Sequence, residues 1–100
     1  MIIFFSHSLT TYGTDIESRC LAFLKSQHPN SEIINPHLIE IKESIDTSEE
    51  FERVMRLYIL PIVRSCDLLA YYKDDGYSPG VDMEVAEAER LHIPVKKVEA

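Results

Sequence analysis

Leu68-Leu69-Ala70-Tyr71-Tyr72 leads, through a short polar turn, into Ser78-Pro79-Gly80-Val81-Asp82-Met83-Glu84. The first segment is almost wholly apolar, the pattern of a strand buried on both faces. The second opens with a capping serine and a first-turn proline, and its helix runs to about Leu91. Pro94 ends that helix, and Val95 to Val98 reads as a weaker strand. One β-α-β unit of this kind implies a parallel pair joined by a right-handed crossover.

Upstream the alternation repeats twice. Ile2 to Phe5 is a continuous apolar run and reads as a strand, followed by a polar loop from Ser6 to Gly13. Thr14 and Glu17 have capping-box spacing, and Ile16, Cys20, Phe23 and Leu24 then recur with helical period until His28-Pro29. Glu32 to Asn35 is a short strand closed by Pro36. Residues 36 to 47 form a polar connection holding His37. Thr47 and Glu50 repeat the capping box. Phe51, Val54, Met55, Tyr58, Ile59, Ile62 and Val63 then form one apolar face, with a kink expected at Pro61 and the Leu57 carbonyl left free.

The order β-α-β-α-β-α-β predicts a three-layer α/β domain of the Rossmann-like or flavodoxin-like kind. Its parallel four-stranded sheet would have order 2-1-3-4, with helices on both faces. Ligands in such folds bind at the carboxyl ends of the strands where the order reverses. That rule selects three loops: Ser6 to Tyr12, Asn35 to His37, and Asp74 to Glu84.

One hundred residues make one domain. Hydrophobic residues are 45% and charged residues 27%, an ordinary globular balance. The net charge of −7 argues against a nucleic-acid polymer as partner, because such binding needs a basic face. A small nucleotide is still admissible, since helix-start amides hold phosphate without net positive charge. Two cysteines, Cys20 and Cys66, do not make a disulfide scaffold and read as core residues. With no long apolar run and no basic leader, the chain reads as a soluble cytoplasmic protein with no membrane partner. The four histidines lack metal-ligand spacing, so neither a metal nor another cofactor is expected.

Glu84 is the candidate for chemistry. Gly80 lets the backbone approach a ligand at a helix start, where free amides favour an anion or a charged oxygen. A carboxylate one turn further on could attack an electrophilic carbon or stabilise an oxocarbenium-like centre. Asp82 and Glu84 would equally well complement the helix dipole, because acidic first turns are common. His7 could serve as a phosphate donor or an acid, or be a loop histidine without a role. His37 would line the same crevice if the scaffold aims it there. Asp74-Asp75-Gly76 reads as a turn, Asp67 as a cap or turn at a strand entrance, and Glu40 to Glu52 as a solvated acidic face.

Cys66 to Tyr72, Ser78 to Ala88 and Leu91-His92-Ile93-Pro94-Val95 together resemble the nucleoside 2-deoxyribosyltransferase-like superfamily. Its members show an Asp before a hydrophobic strand, a Ser-x-Gly, a Glu four residues after the Gly, and a Pro-Val turn. The resemblance implies one such domain over residues 1–100, with Glu84 as nucleophile. It implies cleavage of an N-glycosidic bond through a covalent glycosyl-enzyme, with water or a second base as acceptor. Ser6, His7, Ser8, Tyr12, Ser78, Gly80 and Asp82 would then hold a nucleoside or nucleotide.

The chain also departs from that pattern. Phe4 stands where members carry a strand-1 tyrosine that hydrogen-bonds the nucleophile, and Ser6-His7-Ser8 stands where they carry glycine. Arg53 to Ile59 lacks the acid that handles the base, Val81 replaces a frequent threonine, and a fifth strand is not present. Two alternatives follow: a silent nucleotide-binding module, or a NAD-cleaving domain of the Toll/interleukin-receptor type. Uncovered sheet edges and the stripe from Phe51 to Val63 predict a homodimer or higher homo-oligomer, and either a second copy completes the site or the site is incomplete.

Overall fold

A computed structural model describes residues 1–38, 47–73 and 78–99. The Asp74-Asp75 turn and the acidic residues from Glu40 to Asp46 lie outside the described residues. The strands are β1 (Ile2–His7), β2 (Glu32–Ile34), β3 (Leu68–Tyr72) and β4 (Val95–Lys97). All pairs are parallel, and the order is β2-β1-β3-β4, as the alternation of elements predicts. The helices are α1 (Asp15–Gln27), α2 (Ser48–Val54), α3 (Leu60–Val63) and α4 (Pro79–Arg90).

Strand alternation sorts the core into two halves. Phe4 and Leu69 point to one face, against Met55, Ile59, Val63 and Ala88 from the helical layer of α2, α3 and α4. Ile3, Phe5 and Ala70 point to the other, against Cys20 and Leu24 of α1 and Val98 after β4. Both faces of the sheet are therefore covered, which gives three layers. Cys20 and Cys66 are buried in these two halves, one in each, and burial pushes both thiols up. Asp67 ties two strands together: its carboxylate accepts the Ile2 N–H at 2.7 Å, and its own N–H donates to the Ile2 carbonyl at 2.7 Å.

Three local expectations change. β1 continues through Ser6 and His7, which pair with Tyr71 and Tyr72 of β3. These polar residues remain in the ladder because a central strand has a paired neighbour there, whatever its side chains. Just before Pro61, where a kink is predicted, the helix is interrupted by a π-helical segment, Met55–Ile59, between α2 and α3. Proline cannot donate to Leu57, and the ladder widens one turn earlier, with the Leu60 N–H bonding Met55 O. At the start of α1 only half of the capping box forms. Thr14 Oγ1 accepts from Glu17 N, but the Glu17 carboxylate is turned to other partners.

Candidate functional site

A cavity of about 600 Å³ opens at the carboxyl ends of β1, β2 and β3, within the range of roughly 300–1,000 Å³ typical of ligand pockets. It lies where the strand order reverses, between β1 and β3. Its walls come from the loop after β1, the Pro36–Leu38 turn after β2, the α2–π segment, and the start of α4. Phe51, Val54, Met55 and Ile59 make one side apolar, facing His7, Tyr12, His37 and Glu84.

Glu84 sits on α4 and is only 5% exposed. Its Oε1 accepts a hydrogen bond from Ser6 Oγ at 2.6 Å. Burial disfavours the anion and pushes the carboxyl up to about 7, against a smaller opposing pull from the Ser6 hydrogen bond. Ser6 is two residues beyond Phe4 on β1 and shares its face, so it supplies a hydroxyl to Glu84 where Phe4 has none. Ser6 is fully buried and stands behind the carboxylate. Its place is that of a support for Glu84.

A second cluster forms around Glu17. The Glu17 carboxylate takes His7 Nε2 on Oε2 at 2.8 Å and His37 Nδ1 on Oε1 at 3.0 Å, with the Gly13 N–H at 3.4 Å. Burial alone would raise this carboxyl, but the hydrogen bonds from His7, His37 and Gly13 outweigh it and hold it below its usual value. The other nitrogen of His7, Nδ1, lies 3.1 Å from the Phe5 carbonyl, so both ring nitrogens of His7 are turned toward acceptors. The rings of Phe5, His7, Tyr12 and His37 lie in a row, with centroids 4.1, 4.8 and 4.7 Å apart; Phe5 and His7 stack, and the other two pairs are tilted. Asn35 Oδ1 accepts the His37 N–H at 3.1 Å and fixes the turn that aims the imidazole inward. Gly13 takes a left-handed φ of 72°, and a Cβ there would lie 3.8 Å from His37 Cε1. Burial, then Glu84 and then Glu17, push the Tyr12 hydroxyl up to about 12.

His7, Ser8, Tyr12, Ser78, Gly80 and Glu84 all line the cavity. Asp82 does not. Its carboxylate pairs with Lys73 Nζ at 2.8 Å on the exposed side of α4, because two residues of helix turn it away from Glu84. Ser78 stands at the cap position of α4 but makes no capping bond; its Oγ is buried with no partner among the described residues. Glu17, Phe51 and Met55 carry no site signal in the sequence, since a capping acid and a core stripe explain them locally. His37 is the one member of the Glu17 cluster besides His7 that its loop position had flagged. No group of three or more His, Cys, Asp or Glu among the described residues is placed to hold a metal, and no helix there is long and apolar enough to cross a membrane.

No family model matches the chain, and no curated protein matches it. Among solved structures, a conserved protein from Enterococcus faecalis V583 is similar, with a TM-score of 0.69 and 19% sequence identity over 97% of this chain. This chain spans 62% of the length of that one. At that identity the likeness is one of fold, and it places the chain among Rossmann-like three-layer α/β proteins.

Proposed function

We propose that the protein cleaves or transfers the N-glycosidic bond of a nucleoside or nucleotide, with Glu84 as nucleophile. The observation that carries this reading is a buried carboxylate, held by Ser6 Oγ at 2.6 Å, on the wall of the switch-point cavity. Such a carboxylate is oriented by its hydrogen bond and stripped of water, the state a nucleophile needs to attack an anomeric carbon. Beside it, the first-turn amides of Gly80 and Val81 have no carbonyl four residues back within α4. The unpartnered Ser78 Oγ lies at the same helix start. Together these groups suit a sugar hydroxyl or a phosphate. The apolar side made by Phe51, Val54 and Met55 suits a flat base.

The reading needs no metal or cofactor, and its partner is a small molecule. A homo-oligomer belongs to the same proposal, supported by Leu57 and Tyr58, which the described residues leave 56% and 42% exposed. The test is base release from ribo- and 2′-deoxynucleosides and their 5′-monophosphates. Release by the native chain and a loss of at least about 10³-fold in Glu84→Ala are expected. Absence of release from every substrate, or equal release by the variant, would falsify the reading.

A further inference from the structure

We propose that His37, positioned by Glu17, is the acid that protonates the departing base, so that the cavity takes nucleosides with a neutral base rather than a pyridinium. The inference rests on the N-glycosidic reading above and names the substrate class for it.

The geometry selects His37 among the groups around the cavity. Glu17 spends one carboxylate oxygen on each imidazole, at 2.8 Å and 3.0 Å. Because an ionised carboxylate only accepts, His37 Nδ1 carries the hydrogen in that bond. Its Nε2, on the opposite side of the ring, has no partner among the described residues. His7 has no such nitrogen to offer, since the Phe5 carbonyl and Glu17 face both. The side chain of His7 is fully buried, whereas that of His37 is 37% exposed and lines the cavity. His37 alone of the two therefore reaches both a ligand and the solvent that recharges it. Tyr12 is a poor donor, with its hydroxyl pushed up to about 12, and Glu84 is the nucleophile. Arg53 to Ile59, on the apolar wall, contains no acid.

The step balances. A Glu84 oxygen bonds the anomeric carbon as the C–N bond breaks, and the C–N electron pair passes to the base. The proton from His37 Nε2 goes to a base nitrogen, leaving a neutral base, a glycosyl ester and a neutral imidazole. Water then opens the ester, and His37 takes its proton, which restores the imidazolium and the Glu84 carboxylate. A pyridinium leaving group already becomes neutral when it takes the electron pair. An acid beside it has nothing to neutralise.

The experiment compares native protein, His37→Gln and Glu17→Gln on deoxyadenosine and on 4-nitrophenyl 2-deoxyriboside, whose leaving group departs without a proton donor. Nicotinamide riboside is the pyridinium probe for the native protein. We expect His37→Gln to lower the ratio of kcat on deoxyadenosine to kcat on the nitrophenyl substrate by at least about 100-fold, the lower end of the roughly 10²–10⁴-fold usual for a general acid. Glu17→Gln should lower the same ratio by about tenfold, as a positioning residue would. A merely structural role would lower both rates in parallel, and that result overturns the proposal. So does native protein that prefers nicotinamide riboside. Release from both deoxyribosides with an unchanged ratio thus overturns this proposal and leaves the N-glycosidic reading standing. No release from either deoxyriboside removes the N-glycosidic reading and this inference with it.

Discussion

Glu84 and Glu87 lie three residues apart on α4, both almost buried, yet they are opposite in chemistry. Glu84 faces the cavity with a single hydroxyl partner, and burial pushes it up to about 7. Glu87 faces the α3 side. Arg90 Nε at 2.8 Å and Arg64 Nε at 2.6 Å hold it down to about 2. The helix supplies the same backbone to each. What differs, among the described residues, is whether a cation is within reach, and that decides which carboxylate is held charged as a structural clamp and which is pushed toward its neutral form.

The sharpest way to break this contrast is Glu84→Gln, followed by unfolding across pH. The Glu84 carboxyl is raised in the folded protein, so the unfolded chain ionises first as pH climbs from about 4.5 to 7. Native stability therefore falls through that window, and the penalty is fully present above about 7. Glu84→Gln removes it and should be the more stable protein at pH 8, by on the order of 3 kcal/mol. A variant no more stable than native at pH 8 would show that the carboxylate is not penalised.

Ser6→Ala is a finer probe. Without the Oγ–H donor the anion loses its partner, so Glu84 should ionise at still higher pH. The rise of activity with pH should move upward from about 7, with roughly a tenfold loss at pH 7. An unmoved profile would mean that Ser6 does not tune the carboxylate. The smallest effect belongs to the clamp. Glu87→Gln should cost about 1 kcal/mol near neutral pH, because its arginines are half in solvent. The native advantage should fade as pH falls from about 4.5 toward 2, the reverse direction to Glu84. Equal cost at pH 7 and pH 2 would deny the ion pairs any part in it.

Much of this was legible in the order of residues. Leu68 to Tyr72, Ile2 to Phe5 and the proline-bounded helices predict the sheet, and the loops at its carboxyl end include most residues that line the cavity. Three readings stopped short for identifiable reasons. Ser6 and His7 read as loop because they are polar, but ladder pairing ignores side-chain polarity when a neighbouring strand is in register. Ser78 read as a cap, yet its hydroxyl is buried at the cavity with no capping bond. Glu17 read as half of a capping box, which is a local pattern. Its partners His7 and His37 are ten residues before it and twenty after it, and no local pattern records them.

Sequence by itself determined the layers, the strand order and the end of the sheet where the cavity opens. Periodicity and chain-breaking residues act over a few positions, and crossover handedness does the rest. Only the tertiary structure decided which acid is charged. The state of Glu17, Glu84 and Glu87 depends on groups brought close by folding, and desolvation and hydrogen bonding are short-range in space while remaining blind to distance along the chain.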